Sequence, residues 1–469
     1  MGIAFLMVIL DVAIVNVALP SIQKDLRFSS ASSLQWVVSG YALTYGGLIL
    51  LGGRLGDILG RRRLFMVGLA AFVTFSLLCG LSTSPTELIV FRLLQGAAGA
   101  ILTPSVFSIT TVTFAEGSER NKALGILGGI AGSGSAIGVL LGGVLTQYAG
   151  WKWIFFVNVP IGIAALVLTT LFVSESRATG LARRFDVTGA ISVTGSLMLL
   201  VFALTRAPTV GWGSAQVVGS FVGAAVLMGA FIVTESRSQS PLVPLGIFKR
   251  GTLTGANVIG FLLGSAIFGS FFLLSLYMQQ VLGFSAIKTG VGYLALALTV
   301  VVASGIAQAL VTRLGVKPVL ATGMILIAAG QGYFTQISVN GSYFADLFPG
   351  FILLGVGMGF CFVPISIAAL AGATSREAGL QSGLINTMQQ IGGAVGLAIL
   401  TTVAITRTDH LLNSGVSRAE ASTRGYSLAF GVGVGLALVG LVATLLLLKR
   451  DDLRVNAAES QPVAVGEPA

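Results

Sequence analysis

Charge is scarce in this chain. Lys, Arg, Asp and Glu make up 9% of its 469 residues, against about 25% in soluble proteins. A soluble domain with a solvated charged surface is thereby excluded. There is one histidine, His410, in what reads as a polar loop, and two cysteines, Cys79 and Cys361, both inside apolar runs. No metal site of the usual ligand types is expected from that inventory, and no structural disulfide. The same shortage argues against an intramembrane enzyme, which needs clustered histidines or paired acids. The first residues lack a basic n-region and a small-residue cleavage site, so the first apolar run is expected to span a membrane rather than be removed.

Apolar length fills the place of charge. Hydrophobic residues make up 55% of the chain and the mean hydropathy is +0.94. The 63 glycines are about twice the usual share, which suits membrane helices whose backbones approach closely. Runs of the ~17–25 residues that cross a bilayer fall at 2–19, 34–52, 64–82, 87–113, 122–147, 153–173 and 187–205. They continue at 215–234, 253–279, 287–311, 318–337, 347–371, 379–406 and 426–448. Fourteen spans put both ends on one side. Of the 27 Lys and Arg, eight then fall in segments on the far side: Lys24, Arg27, Lys152, Arg206, Lys288, Arg407, Arg418 and Arg424. Eighteen fall on the side of the termini and Arg92 lies within helix 4. The excess marks the termini as cytoplasmic. It also accounts for the net charge of +10 without invoking nucleic acid.

The chain repeats itself. LGDILGRR after helix 2 and LVTRLGVK after helix 10 share Leu55, Leu59 and Gly60 with Leu310, Leu314 and Gly315. Helices 4 and 12 align by Gly99 with Gly359 and Pro104 with Pro364, and helices 5 and 13 by Gly125, Gly134 and Gly138 with Gly383, Gly392 and Gly396. A duplicated six-helix unit is expected: residues 1–173 as one half, 174–252 as two inserted helices with linkers, and 253–448 as the other half. Residues 449–469 are expected to form a disordered cytoplasmic tail. Parallel halves of this kind place a substrate site between them near the midplane.

In LMVILDVAIVNVALP, residues 6–20, Asp11 interrupts an apolar run. It lies ~15 Å into the helix, about half the depth of a bilayer core. An unpaired carboxylate there costs several kcal/mol. As a proton carrier it makes sense, because burial raises a carboxyl pKa in general and a neighbouring cation lowers it. Arg92 is the one membrane-embedded cation, with a fixed charge. The alternatives are a permanently hydrogen-bonded structural acid and an arginine that only ties helix 4 to carbonyls. Asn386, Gln389 and Gln390 stand at i, i+3 and i+4 on helix 13. They read either as interhelical glue or, with Asn16, Tyr41, Tyr45 and Gln95, as the wall of a substrate cavity. No acid lies mid-membrane in helices 9–14, since Asp346 sits at an outer end. Such a pocket suits lipophilic neutral, zwitterionic or monocationic compounds.

Several stretches together resemble the major facilitator superfamily, and within it the fourteen-helix drug:proton antiporter branch (EmrB/QacA-like exporters). LDVAIVNVALPSI resembles the branch's helix 1 motif, GGRLGDILGRRR at 52–63 the cytoplasmic gate motif, RLLQGAAGA at 92–100 the helix 4 motif, and WKWIFFVNVPIG at 151–162 the segment leading into helix 6. The resemblance covers essentially the whole chain. It implies an all-α polytopic membrane protein of the major facilitator fold, 6+2+6 helices, with two pseudo-symmetric halves around a central cavity. It implies a gate built on Gly53, Asp57, Gly60, Arg61 and Arg62, with Asp57 clasping the two halves. Gly134, Gly138, Gly142 and Gly143 would form the antiporter motif of helix 5, where Val139 stands in place of the family's proline and leaves the direction of transport open. The function so implied is proton-coupled export of hydrophobic drugs or antibiotics by alternating access. It would be driven by the proton motive force without a cofactor, by a monomer in a bacterial inner membrane whose partners are lipophilic small molecules, protons and lipids. The alternative is transport of one small metabolite.

Overall fold

Apolar sequence leaves the backbone few choices in lipid, where every N–H and C=O needs a partner within the protein. The computed structural model of the protein describes residues 1–114, 118–173, 175, 186–238, 241, 243, 246, 251–370 and 378–448, without some side chains in helices, those of Arg54, Asp57 and Ile58 among them. Among these residues there is helix and no strand. The long helices of the first half are α1 (Gly2–Asp25), α2 (Trp36–Leu59), α3 (Arg61–Leu81), α4 (Pro85–Thr113), α5 (Ser118–Tyr148) and α6 (Asn158–Phe172). Then come α7 (Val187–Val210) and α8 (Ala215–Arg237). The second half has α9 (Gly251–Leu276), α10 (Ala286–Leu314), α11 (Val316–Phe334), α12 (Phe348–Leu370), α13 (Ala378–Asn413) and α14 (Arg418–Leu447). Twelve described stretches are long and apolar enough to cross a membrane; α5 and α11 complete the fourteen.

Local chemistry sets the helix ends. Ser84 and Glu87 form a capping box at the start of α4, with Pro85 in its first turn. Asp186 caps α7 by accepting from Gly189 N at 2.6 Å. Gly60 and Gly315 occupy equivalent turns at φ 111° and 86°, a backbone region that suits glycine. Several boundaries differ from the hydropathy reading: α1 reaches Asp25, α2 reaches Leu59 and α14 begins at Arg418. α7 runs on to Val210 and α13 to Asn413, so His410 lies in the last turn of a helix and not in a loop. Polar residues at the rim lower the hydropathy without ending the hydrogen-bond ladder.

The repeat reappears as packing. α1 lies on α5 as α9 lies on α13, α2 on α4 as α10 on α12, and α3 on α4 as α11 on α12. Small residues make these approaches possible. A Cβ on Gly138 would meet the Ala13 side chain at 2.7 Å, and one on Gly396 would run into the Ser265 carbonyl. The halves meet where α5 faces α10, α2 faces α13 and α1 faces α9. The inserted α7 packs on both α2 and α13, while α8 packs on α7. Large apolar side chains such as Val67, Val226 and Val302 point outward, as a lipid-facing surface requires.

Met1 marks one end of the bundle, called proximal here, and the C-terminus of α1 marks the distal end. Three hydrogen bonds join the halves toward the distal end. Ser275 Oγ donates to Asn16 O at 2.6 Å, Gln279 Nε2 to Val17 O at 2.8 Å, and Gln280 Nε2 to Gln23 Oε1 at 2.7 Å. A cavity of about 580 Å³ opens at the proximal end inside the first half, lined by Met1, Ile109, Thr113, Leu127 and Phe172 among others.

Candidate functional site

Five helices of the first half converge on Asp11. Its carboxylate is fully buried and accepts three hydrogen bonds. Arg92 Nη1 donates to Oδ2 at 2.5 Å, Gln95 Nε2 to Oδ1 at 2.9 Å and Asn158 Nδ2 to Oδ1 at 3.2 Å. Arg92 and Gln95 are one turn apart on α4 and share a face. That face reaches α1 because the neighbouring Gly96 and Gly99 let α4 press against Tyr41, Thr44 and Tyr45 of α2. Asn158, at the start of α6, also donates to Ser76 Oγ of α3 at 3.0 Å, and Ser76 donates to Phe155 O at 2.9 Å. Cys79 Sγ sits 3.6 Å from Gln95 Oε1.

Arg92 does not depend on Asp11 alone. Its Nε donates to Val37 O at 3.0 Å and its Nη1 also to Gln95 Oε1 at 2.8 Å. The guanidinium lies over the Tyr41 ring at 4.3 Å and near the Phe155 ring at 5.7 Å, both attractive to a cation. A buried ion pair is ordinarily costly to break from one side, because the survivor is left uncompensated. Here a neutralised Asp11 would leave the arginine with a carbonyl, an amide oxygen and two ring faces. The arrangement can therefore hold its cation through protonation and deprotonation of the acid.

The remaining expected site residues scatter. Gln95 and Tyr41, expected on a cavity wall, are sealed inside this network, and Tyr45 stacks on Tyr41 with centroids 5.9 Å apart. The Asn16 side chain turns back on its own helix, donating to Val12 O at 3.1 Å. The three polar residues of α13 diverge: Asn386 is exposed and bonds Ser382 O, Gln389 packs on Gly260 and Gly264 of α9, and Gln390 packs on Gly46 of α2. None of the seven lines the proximal cavity.

In the gate motif, Gly60 forms the turn and Gly53 packs on Pro104. Glu175 accepts from the backbone N–H of Arg62 and of Arg63, at 3.2 and 3.1 Å, where α3 has unsatisfied donors and a positive dipole end. Arg62 Nη2 donates to Thr170 O at 2.9 Å, so this part of the motif ties α3 to the end of α6. Arg61 opens α3. The proposed clasp of Asp57 lies outside the described side chains. Of the helix 5 glycines, Gly134, Gly138 and Gly142 pack on α1, while Gly143 packs on Ala286 and Ile287 of α10. α5 runs unbroken through Val139.

Sequence reasoning missed Asn158, Ser76 and Glu175. For Asn158 a signal existed: a lone amide within the apolar run WIFFVNVPIG, in a stretch already singled out. Nothing in the sequence pointed to Glu175, since its partners are backbone amides more than a hundred residues away.

The sequence pattern that defines the Major Facilitator Superfamily matches residues 1–397. The chain is 37% identical to the puromycin resistance protein pur8 of Streptomyces alboniger, over 99% of this chain and 93% of that one. It is 38% identical to the cephamycin export protein CmcT of Amycolatopsis lactamdurans, over 85% of this chain and 83% of that one. Among solved structures, the POT family transporter PepTSo superposes with a TM-score of 0.69 at 14% identity, over 95% of this chain and 96% of that one. That likeness concerns the fold.

Proposed function

The chain belongs to the major facilitator superfamily, and on that premise we propose that it exports lipophilic, antibiotic-like molecules across a bacterial cell membrane in exchange for protons. Export of small antibiotics is supported by the relatives, which are a puromycin resistance protein and a cephamycin export protein. Proton coupling is supported by one observation: Asp11 is fully buried, yet its partner Arg92 has other places to put its charge. The proximal end is cytoplasmic, following the excess of Lys and Arg there.

In this reading Asp11 loads a proton from one side and releases it to the other as the halves rock. Loading weakens its grip on Arg92, and release restores the pair and draws α1 back to α4. The driving force suffices. One charge crossing 100 mV releases about 2.3 kcal/mol and one pH unit adds about 1.36 kcal/mol. At roughly 100–150 mV plus a modest pH gradient, one proton supports a concentration ratio on the order of hundreds.

The test is transport in sealed vesicles by wild type and Asp11→Asn. The variant keeps the shape of the side chain and is expected to insert normally, to exchange labelled drug by counterflow, and to lose accumulation driven by a pH gradient. Wild type should also acidify the buffered interior or exterior in the sense of exchange when drug is added. Undiminished gradient-driven accumulation by Asp11→Asn would refute the proton role of Asp11, and absence of counterflow in wild type would refute drug carriage.

A further inference from the structure

Four described crossing helices carry a proline inside them: Pro104 in α4, Pro364 in α12, Pro20 in α1 and Pro208 in α7. Proline has no N–H, so the carbonyl four residues earlier loses its helical donor. For Pro20 and Pro208 those carbonyls are Asn16 O and Leu204 O. Each receives a hydroxyl from the second half. Ser275 Oγ of α9 donates to Asn16 O at 2.6 Å, and Thr402 Oγ1 of α13 donates to Leu204 O at 2.9 Å. A carbonyl freed in apolar surroundings requires such a donor.

The two bonds share their chemistry and differ in their place. Leu204 O lies on the inserted helix, fastened to α13. Asn16 O lies on α1, toward the distal end, on the seam where the halves must separate if that end is to open. The seam there carries two further polar contacts within an apolar packing of α1 on α9. Gln279 Nε2 donates to Val17 O and lies 3.4 Å from Ser275 Oγ, and Gln280 reaches Gln23. Both glutamines sit in a π-helical turn, Tyr277–Val281, that continues α9. Such turns interrupt the regular winding of a helix and recur at functional sites.

We propose that Pro20 is a positioning residue for transport. By removing the helical donor of Asn16 O it creates an acceptor that Ser275 grips when the distal end is shut, and this latch opens in each cycle as water replaces the serine hydroxyl. The proposal rests on the alternating-access reading above, but its measurement needs neither drug nor proton gradient.

The experiment is a distance measurement between spin labels at Lys24→Cys and Lys288→Cys, both exposed near the distal ends of α1 and α10, in full-length protein in lipid discs. The native Cys79 and Cys361 are buried. Loss of one neutral hydrogen bond predicts a roughly fivefold rise in the open-to-closed ratio for Ser275→Ala. Pro20→Ala returns the N–H to Asn16 O and should produce a similar rise, and the two changes together should add little to either alone. Thr402→Val removes the equivalent bond in the inserted helix and should leave the distance distribution unchanged. Three results would overturn the latch: no widening with Ser275→Ala, an equal and additive widening in the Pro20→Ala background, or widening with Thr402→Val. Failure of drug export or proton coupling in vesicles would leave these distances as they are, so the two readings fail separately.

Discussion

In the register set by Gly60 and Gly315, Ser76 of α3 corresponds to Gln331 of α11, and in the register set by Pro104 and Pro364, Arg92 and Gln95 correspond to Ile352 and Gly355. The first half thus buries an acid, an arginine, two amides and a serine at the place where the second buries one amide and a serine. Gln331 Nε2 donates to Ala266 O at 2.6 Å and to Ser270 Oγ at 2.5 Å, which pins α11 to α9, and Gly433 of α14 packs against its amide. The core of the second half is instead a ladder of rings from Phe271 through Tyr293, Phe351 and Phe334 to Phe430, with successive centroids 5.6, 5.4, 5.6 and 5.4 Å apart. Rings at such distances attract through dispersion and quadrupole terms that lipid does not weaken. Duplication has kept the packing of the scaffold in both halves and the charge in only one. Under the proposed exchange, proton chemistry has one address, and the other half acts as a neutral frame against which it works.

That contrast can be broken most severely at Arg92. Arg92→Ala strands the buried Asp11 carboxylate and should cost about 3–5 kcal/mol in stability, whereas Arg92→Ala with Asp11→Asn should recover most of it. Thermal unfolding of the purified variants measures both. Gln331→Glu would place an acid in the second half, where no cation corresponds to Arg92. It should destabilise by roughly 2–3 kcal/mol near neutral pH, and more as pH rises and the buried group is forced to ionise. Unfolding midpoints at several pH values report it, and a flat profile would show that the frame tolerates charge. Asn158→Ala removes donors to Asp11 and Ser76 and should cost about 1–3 kcal/mol. It should also shift the pH dependence of drug:proton exchange, whereas Gln331→Leu should leave that profile in place. The smallest contrast concerns helix packing. Gly396→Ala meets the backbone of Ser265 and should cost about 1–3 kcal/mol, while Gly138→Ala meets first the small side chain of Ala13 and should cost less. Equal losses would mean that the two crossings are equally tight.

Much of this architecture was legible before any coordinates. The apolar runs marked the crossings, and the paired turns at Gly60 and Gly315 together with Pro104 and Pro364 marked the duplication. Asp11 and Arg92 stood out because each is alone of its sign at membrane depth. Their neighbours did not stand out. A spacing of i, i+3, i+4 put Asn386, Gln389 and Gln390 on one side of α13, but Gln389 meets α9, Gln390 meets α2 and Asn386 is exposed. Gln95 looked like a cavity residue because an amide on an apolar helix has no sequence feature that separates a water-facing position from a sealed one. The inserted pair gave no sign of where it docks. α7 lies across α2 and α13 because a Thr194–Gly47 approach and a proline-freed carbonyl happen to fit there, and neither shows in hydropathy.

The amino-acid sequence by itself determined that the chain crosses a membrane many times as helix, in two related sets, with one acid and one arginine inside. The physical reason is local: in lipid a backbone must satisfy its own hydrogen bonds, and composition over some twenty residues decides that. Tertiary structure alone decided that Asp11 and Arg92, 81 residues apart, touch within a cage of Gln95, Asn158 and two rings, and that the hydroxyl of Ser275 finds the carbonyl that Pro20 set free. Those meetings depend on how each helix is rotated about its axis, and the rotation is fixed by which glycine faces can approach, a property of pairs of helices and of no single stretch of chain.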